Sequence, residues 1–396
     1  MKKNILFLHT TGNWWDHRYY FKQMPALVNA YFSVSYLVCT SEKIDNPQIN
    51  TIIVSEKTAK RARISGGFNL LGKVLKSDFN LVQICNLELL PLGIFLAFFT
   101  PKKVFYDCRE DHYNAMLFSK VWFPKWVRLM LATGVKVLEF LASKSFTGFI
   151  VSDPAIFKMH RYMHDKKKVL FYNMAINQQF ENERIKSINA QKIYDLVVLG
   201  SMSIRTGVLN VIEAMVALKK QGFSLKLKLI GNPRVDQSLW EKMEKLISDE
   251  NLHDQIHITG KVPYSEVPKE LMDCKIAIIP LLDLPKFRNN MATKQFEYMA
   301  AGLPIISSRL QPQQYFIQEG FNGLFYEPDN VTDLAEKIRL LIEKPDFASI
   351  LGSNGLQKTK EDWNSENQQN KYVDFYLTRI QNKPYIENQF PPIKIS

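Results

Sequence analysis

The stretch that decides the fold is residues 293–308, TKQFEYMAAGLPIISS. Residues 294–300 favour a helix, Gly302 stands where a helix C-terminal cap needs a positive φ, and Pro304 closes the turn. Apolar runs at 275–280 and directly after the proline predict buried strands. The segment therefore reads as strand, loop, helix, turn and strand, the repeating unit of an α/β protein with a parallel sheet.

The helix of this segment carries two charged residues that point to a ligand. Lys294 and Glu297 are three residues apart and share one helix face. In an α/β sheet, ligands bind outside the carboxyl ends of the strands, where a helix N-terminus attracts phosphate. Lys294 would then lie near a phosphate, and the Glu297 carboxylate could accept both hydroxyls of a ribose. The alternative is a surface ion pair on a helix packed by apolar neighbours.

The whole string resembles the donor-binding motif of the family-4 glycosyltransferases, Pro-x-Lys-x-x-Glu-Tyr-Met-Ala-x-Gly-x-Pro. The resemblance implies the α/β GT-B fold, two Rossmann-like doubly wound parallel-sheet domains facing across a cleft. It also implies that Glu297 binds ribose and that the helix start, with Thr293 beside Lys294, faces the diphosphate of a nucleotide-sugar. Asn289 stands where many relatives have a second Glu, so an amide there or on Asn290, or the backbone, would contact the sugar.

A second resemblance, to a subgroup of the same family, covers the N-terminal half. The subgroup has Asp-x-Arg in the first loop, a basic pair, a Pro-Glu-Leu-Leu-Pro-type segment and a strand ending Tyr-Asp-x-His-Glu-Asp. The matching positions are Asp16, Arg18, Arg61, Arg63, Glu88 with the rest of 88–91, and residues 106–111. This loop begins at Gly12, one glycine where a dinucleotide site needs several, so NAD and FAD are not supported. The resemblance places Gly12, Asp16, Arg18 and Glu88 on the acceptor side.

The departures from the family fall at ionisable positions. Cys85 and Asn86 replace a His-Asp pair, and Arg109 replaces a histidine. Arginine stays protonated, so Arg109 could stabilise the leaving diphosphate or bind an anionic acceptor but cannot act as a base. Glu110 and Asp111 are the candidate general bases, the alternative being a solvated strand end. The family implies retaining transfer, in which a donor phosphate oxygen can take the acceptor proton.

The chain of 396 residues, 46% hydrophobic and 23% charged, is expected to form two or three globular domains. Its net charge of +12 is one-sided: residues 1–170 hold 24 Lys and Arg against 12 Asp and Glu, and the remaining residues hold 27 of each. Such a basic half suggests a polyanionic partner, and because no nucleic-acid motif accompanies it, an anionic membrane surface is the partner carried forward.

Residues 120–145 form the other informative stretch, KVWFPKWVRLMLATGVKVLEFLASKS. Trp126, Leu129, Met130, Val137 and Phe140 recur at helical spacing, with basic residues largely elsewhere. One interpretation is a helix whose apolar face lies in the core of the first domain. The other is an interfacial membrane helix, which an acceptor on a polyprenyl-diphosphate carrier would require.

Targeting and cofactor signals are absent from the pattern. The N-terminal apolar run predicts a first strand rather than a signal peptide, and residues 87–100 are too short and too interrupted to span a bilayer. The four cysteines have no metal-site spacing and are expected to be reduced in a cytoplasmic protein. The expected location is the cytoplasm, with contact between the protein and the inner face of the plasma membrane as the further possibility. No cofactor or metal is expected, only a UDP- or GDP-linked co-substrate.

Alternating apolar and helical segments organise the rest of the chain into parallel sheets. Strands are predicted at 4–9, 33–39, 51–54, 81–85, 103–107, 147–152, 170–173, 194–200, 224–230, 256–259, 275–280 and 305–306, and the segment 320–329 again resembles the family. The loop that starts at Gly200 and Ser201 resembles the family's diphosphate loop, with Arg205 as its cation. The predicted domains are an acceptor-binding domain 1–175, a linker 176–192, a donor-binding domain 193–364, a helix 365–382 returning to the first domain, and a tail 383–396.

The sequence thus predicts a retaining glycosyltransferase that moves a sugar from a nucleotide-sugar to a glycan or lipid-linked acceptor. Assembly of bacterial capsule, surface polysaccharide or lipopolysaccharide is the setting this family suggests. The alternative is a catalytically silent subunit that binds nucleotide or a partner protein, because Cys85, Asn86, Arg109 and Asn289 all depart from charged or titratable family positions. A sugar-nucleotide epimerase, another enzyme class of similar architecture, is less favoured because the sequence lacks the motifs of that class.

Overall fold

The computed structural model describes residues 3–10, 14–42, 44–55, 72, 74–75, 78–119, 122–160 and 162–386. The chain divides into two compact units. The first contains the described residues up to Asn173 together with those from Glu366 onward, and the second is Met174–Ser365.

The first unit is built on a parallel sheet. Its strands are β1 Asn4–His9, β2 Ser33–Cys39, β3 Ile49–Ser55, β4 Leu81–Ile84, β5 Lys103–Cys108, β6 Gly148–Val151 and β7 Lys168–Leu170. Their spatial order is β3-β2-β1-β4-β5-β6-β7. The order reverses between β1 and β4, and such a reversal opens a crevice at the carboxyl ends of the strands.

The second unit repeats the design. Its strands are β8 Tyr194–Leu199, β9 Leu227–Ile230, β10 Ile256–Gly260, β11 Cys274–Ile279, β12 Ile305–Ser308 and β13 Gly323–Tyr326. They pair in the order β10-β9-β8-β11-β12-β13, again all parallel. The reversal lies between β8 and β11, so the loops after these two strands meet at the same point of the sheet edge.

Helices cover the sheets, as the near-continuous apolar strands require, because a parallel strand is buried on both faces. In the first unit they are α1 Met24–Asn29, α2 Leu90–Phe99, α3 His112–Ser119, α4 Lys125–Ser145, α5 Pro154–Met159 and, after the second unit, α13 Ser365–Ile380. In the second unit they are α6 Asn177–Lys186, α7 Val208–Lys219, α8 Gln237–Asp249, α9 Val267–Met272, α10 Lys294–Ala300, α11 Val331–Glu343 and α12 Pro345–Glu361.

Helix α13 is fixed to the first unit by rings and by a buried hydrogen-bond chain. Tyr372, Phe375 and Tyr376 are fully buried in its core. The hydroxyls of Tyr372 and Tyr376 donate to the Gln83 side-chain oxygen at 2.5 and 2.6 Å, and the Gln83 amide nitrogen donates to Gln23 at 2.7 Å. These paired polar groups tie the helix to β4, since a buried amide left unpaired would be costly.

Two segments differ from the sequence prediction. The strand expected at 170–173 is misplaced, because β7 ends at Leu170 and Phe171 and Tyr172 are buried beyond the sheet, where the Phe171 ring packs on Tyr372. Apolar residues buried against a helix look the same in sequence as strand residues. The stretch predicted as a linker contains α6, which buries Phe180.

Candidate functional site

In the second unit, the glycine loop after β8 lies against the lysine of the donor-like motif. Gly200 has a φ of +114°, and a Cβ placed on it would lie 3.4 Å from Nζ of Lys294. The loop after β8 and the start of α10 therefore meet at the reversal point of the sheet. A positive φ and close approach of a side chain both favour glycine at this position.

Burial shapes the charges at this point. Burial lowers the pKa of Lys294 to about 8, and the Glu297 carboxylate one turn along α10 opposes that shift. Glu297 is only 6% exposed. Its negative charge, after the larger effect of burial, also helps raise the pKa of Tyr264, which places this phenol in the same environment. The arrangement is a partly dehydrated cation beside a buried carboxylate, suited to a ligand that carries both phosphate and hydroxyls.

Two further glycines shape the loop because side chains would not fit. A Cβ on Gly207, whose φ is +72°, would lie 1.7 Å from the carbonyl oxygen of Pro280. A Cβ on Gly231 would lie 2.2 Å from the carbonyl oxygen of Gly200. The loops after β8, β9 and β11 are thus in backbone contact at the carboxyl edge.

Tyr298 holds α10 under these loops. Its hydroxyl accepts a hydrogen bond from the Leu199 amide at 2.8 Å and donates to the Ile278 carbonyl at 3.4 Å. The side chain is fully buried. One phenol therefore joins the ends of β8 and β11 to the helix that carries Lys294 and Glu297.

The remaining predicted donor residues lie around this edge. Ser201 and Arg205 are exposed, and Arg205 belongs to a single helical turn whose ends are closed by Ser203 and Thr206. Thr293 occupies the position directly before α10. Asn289 and Asn290 are half-buried in the loop after β11, and in the described part of the chain the Asn290 side-chain oxygen is buried without a hydrogen-bond partner. These positions surround the carboxyl edge of the second sheet.

In the first unit, Arg109 and Asp16 form an ion pair at the corresponding sheet edge. Arg109 Nη1 lies 2.7 Å from Asp16 Oδ2, with the arginine side chain 35% exposed. Burial, the largest single effect, would raise the pKa of Asp16. The charge and hydrogen bond of Arg109, with the nearby His9 and the Arg18 backbone amide, together outweigh burial and hold this pKa below its usual value. The guanidinium also lies over the Tyr19 ring at 5.1 Å. The loops after β1 and β5 are joined by this pair.

Arg18, predicted on the acceptor side, is instead buried inside the unit. Its guanidinium donates to both oxygens of Asp107 at 2.7 and 3.0 Å and to the Phe171 carbonyl at 2.6 Å. Both side chains are at most 1% exposed. An acceptor role does not fit this position, because every contact of the guanidinium fixes β5 and the segment after β7.

The other predicted acceptor-side residues occupy different environments. Glu88 and Glu110 are exposed. Asp111 is 5% exposed and accepts hydrogen bonds from the Asn114 amide and side chain, so it caps α3 rather than standing free as a base. Gly12, Arg61 and Arg63 lie outside the described residues.

The structure adds one titratable residue that the sequence interpretation passed over. His112 is half-buried, and burial lowers its pKa while the nearby charges of Glu110, Asp111 and Glu88 oppose the shift. It stands three residues after Arg109, at the position where the strand-end loop enters α3. A histidine so close to the position where relatives carry one was a usable sequence signal.

The apolar face of α4 points outward. Its buried residues are Ala132, Val135, Glu139, Ala142 and Ser143, whereas Trp126, Leu129, Met130, Val137, Phe140 and Leu141 are between 40% and 69% exposed. The interpretation that placed this face in the core is wrong. Phe95, Phe98 and Phe99 of the contacting helix α2 are exposed as well. We call these nine residues the aromatic face. Within the described ranges, no helix has both the length and the apolar content to cross a membrane.

Comparison with known proteins agrees with this geometry. The family model for glycosyl transferases group 1 matches residues 179–358. An uncharacterised glycosyltransferase of Methanocaldococcus jannaschii is 30% identical over 145 residues, 37% of this chain and 38% of that protein. The alpha-D-kanosaminyltransferase of Streptomyces kanamyceticus is 22% identical over 159 residues, 40% of this chain and 39% of that protein. The chain thus spans well under half the length of these curated relatives.

Solved structures resemble the whole chain. Sucrose-phosphate synthase from Thermosynechococcus elongatus has a TM-score of 0.75 at 16% identity and covers 97% of this chain and 100% of its own. HepE of Anabaena, solved with UDP-glucose, has a TM-score of 0.70 at 13% identity. The match covers 95% of this chain and 99% of HepE. WaaG, a glycosyltransferase involved in lipopolysaccharide biosynthesis, has a TM-score of 0.66 at 15% identity. The match covers 93% of this chain and 99% of WaaG. The chain therefore has the fold of the GT-B glycosyltransferases, and its residues 179–358 match the family model for glycosyl transferases group 1.

Proposed function

We propose that this chain transfers a sugar from a UDP- or GDP-linked donor to a glycan or lipid-linked acceptor, with retention at the anomeric carbon. The setting is bacterial capsule or lipopolysaccharide assembly at the cytoplasmic face of the plasma membrane. The observation that carries the proposal is the contact between Gly200 and Lys294 at the reversal point of the second sheet, with Glu297 buried one turn along the same helix.

In the donor complex, Lys294 and Arg205 would neutralise the diphosphate and Glu297 would accept the ribose hydroxyls. Asn289 and Asn290 would contact the sugar. The pairing is chemically specific. A carboxylate accepts hydrogen bonds from two hydroxyls and repels phosphate, whereas a lysine ammonium donates hydrogen bonds and attracts phosphate. HepE, which shares the fold, was solved with UDP-glucose, and this supports a UDP-linked donor.

In the transfer step, the bond between the anomeric carbon and the donor phosphate oxygen breaks, and a bond to the acceptor oxygen forms on the same face. The acceptor hydroxyl proton passes to the departing phosphate oxygen, and Lys294 and Arg205 stabilise the negative charge that develops there. The name of the alpha-D-kanosaminyltransferase specifies an alpha product. Transfer from an alpha-linked nucleotide-sugar to an alpha product is transfer with retention, which supports this stereochemistry.

The acceptor is assigned to the first unit. Arg109 is partly exposed beside Asp16, and His112, Glu88 and Glu110 are near one another at the same edge. Arg109 suits an anionic group such as the diphosphate of a polyprenyl carrier. His112 suits a hydroxyl, because a neutral imidazole nitrogen can accept a hydrogen bond from it. Burial lowers the pKa of His112 and so favours its neutral form.

A membrane surface is the second partner we propose, with the aromatic face of α2 and α4 inserted among anionic lipids. Exposed Trp126, Leu129 and Phe140 supply apolar area, and exposed Lys125 and Lys144 lie on the same helix. The net +12 of residues 1–170 complements a negative leaflet.

Liposome binding tests the membrane contact. The wild type should sediment with vesicles of phosphatidylglycerol and phosphatidylcholine at low salt and less so at high salt. Trp126→Glu with Leu129→Glu should abolish binding, whereas Ile350→Glu, at a 56% exposed isoleucine of the second unit, should leave it intact. Equal binding by both variants would remove the aromatic face from the proposal.

Turnover tests the reaction. The purified chain is incubated with UDP-glucose, UDP-N-acetylglucosamine or GDP-mannose and a panel of polyprenyl-diphosphate-linked sugars, with nucleotide release and the anomeric proton of the product as readouts. One donor should support nucleotide release and an alpha-linked product. Nucleotide binding without release, across the panel, would favour the silent-subunit alternative. A beta-linked product would refute retention.

A further inference from the structure

A buried cluster in the first unit joins three elements behind the acceptor-side loop. Cys108 ends β5, Glu139 lies on the inner face of α4, and His160 follows α5. All three side chains are buried, and one ligand atom of each lies within 4.8 Å of the others. The transfer reaction described above uses none of them.

Hydrogen bonds fix the tautomer of the histidine. The Tyr162 hydroxyl donates to Glu139 at 2.8 Å, so its oxygen accepts from His160 Nδ1 at 2.6 Å. The proton on Nδ1 leaves a lone pair on Nε2, which faces Cys108 Sγ at 3.3 Å. A histidine that binds a metal through one ring nitrogen and donates its other N–H is the usual arrangement in metal sites.

The carboxylate supplies the second sign of an incomplete site. Glu139 is 1% exposed, and among the described residues its Oε1 atom has no hydrogen-bond partner. A buried carboxylate is expensive unless it is paired with a cation or fully hydrogen-bonded. A divalent ion between this carboxylate, a thiolate and a neutral imidazole would make the group electrically neutral.

We propose that Cys108, Glu139 and His160 bind one Zn²⁺ ion. Sulfur, nitrogen and oxygen ligands together suit zinc, whereas magnesium and calcium prefer oxygen alone. Zinc bond lengths place a tetrahedral sulfur–nitrogen pair about 3.5 Å apart, close to the observed 3.3 Å. The three ligand atoms lie within 4.8 Å of one another, and the Glu139 carboxylate must move closer to the other two to reach bonding distance.

Metal binding releases the proton of the Cys108 thiol to solvent. It also releases the proton of Glu139 wherever this carboxyl, whose pKa is raised to about 7 by burial, is protonated. Sγ of Cys108, Nε2 of His160 and a Glu139 oxygen bond the ion, and water completes four-fold coordination. Since the ligands are buried, the ion would be structural: it would tie β5 to α4 and α5, directly behind Arg109 and beneath the aromatic face. The inference does not depend on the transfer reaction.

The test uses the full chain, freed of any purification tag and stripped with a chelator. Wild type should take up one Zn²⁺ in competition with a chromophoric chelator and should melt several degrees higher with zinc. Co²⁺ should give a thiolate-to-cobalt charge-transfer band. Cys108→Ser and Glu139→Gln should lose the band and the shift, while Cys274→Ser, at a buried cysteine of the second unit, should keep both.

Circular dichroism checks that the variants fold, and because two near-isosteric substitutions are used, loss of fold in one leaves the other informative. Absence of stoichiometric zinc uptake by the wild type would overturn the proposal. So would a cobalt spectrum without the thiolate band, or equal uptake by Cys108→Ser and Cys274→Ser.

Discussion

Nucleotide affinity should fall as pH rises above 8, because the pKa of Lys294 is about 8. About nine-tenths of these amines are protonated at pH 7 and about one-tenth at pH 9. If a diphosphate binds only the protonated form, its Kd rises about tenfold over this interval, equal to about 1.4 kcal/mol. The phosphates of the nucleotide lose their last proton near pH 6, about one unit below the start of this interval, and contribute little.

Isothermal titration of UDP and GDP between pH 7 and pH 9.5 measures this dependence. Lys294→Arg keeps a positive charge throughout, so its Kd should be flat across the same range. Lys294→Gln should bind weakly at every pH.

The titration of Lys294 does not weaken nucleotide binding at high pH by destabilising the fold. Burial lowers the folded-state pKa of Lys294 below its unfolded value, so the unfolded chain binds more protons between about pH 8 and pH 10.4. The contribution of Lys294 to stability therefore rises with pH in that window while nucleotide affinity falls. A wild-type Kd as flat as that of Lys294→Arg would refute the assignment of Lys294 to the diphosphate.

Two further predictions concern the scaffold. Gly207→Ala should lower the free energy of unfolding of the second unit, measured by urea denaturation, by about 3 kcal/mol and should weaken nucleotide binding. The reason is that the added methyl group meets a backbone carbonyl at a residue with a positive φ. Gly222→Ala, at a positive φ with open space, should cost about 1 kcal/mol and leave binding intact; similar losses would contradict the packing argument. Asp107→Asn should cost about 3–5 kcal/mol by leaving Arg18 buried without its counter-charge. Arg109→Ala, which breaks a partly exposed pair, should cost about 1 kcal/mol or less, and the reverse ranking would contradict the buried role of Arg18.

Much of the fold was predictable because its signals are local. Parallel strands buried on both faces read as apolar runs, and 275–280 and 305–306 were placed correctly for that reason. The contact between Gly200 and Lys294 was not visible locally, since almost a hundred residues separate them and only the strand order brings them together.

The errors have the same physical origin. Arg18 and Asp107 are far apart in the chain, so nothing in the sequence showed that their charges cancel inside the unit. The orientation of the apolar face of α4 was also undetermined, because helical spacing defines an apolar face but does not show whether that face packs on the sheet or lies in solvent. Small residues such as Ala132 and Ala142 on the opposite face, which allow close packing, were the available hint.

The central claim is that α10 and the loop after β8 bind a nucleotide-sugar, and thermal unfolding with UDP, GDP, ADP and dTDP tests it most directly. A nucleotide at about one hundred times its Kd adds about 2.7 kcal/mol, which shifts Tm by a few degrees. One nucleotide should stabilise the wild type and the exposed-site control Glu244→Ala but not Glu297→Ala. Equal stabilisation of Glu297→Ala and the wild type, or no stabilisation of the wild type by any nucleotide, would contradict the claim.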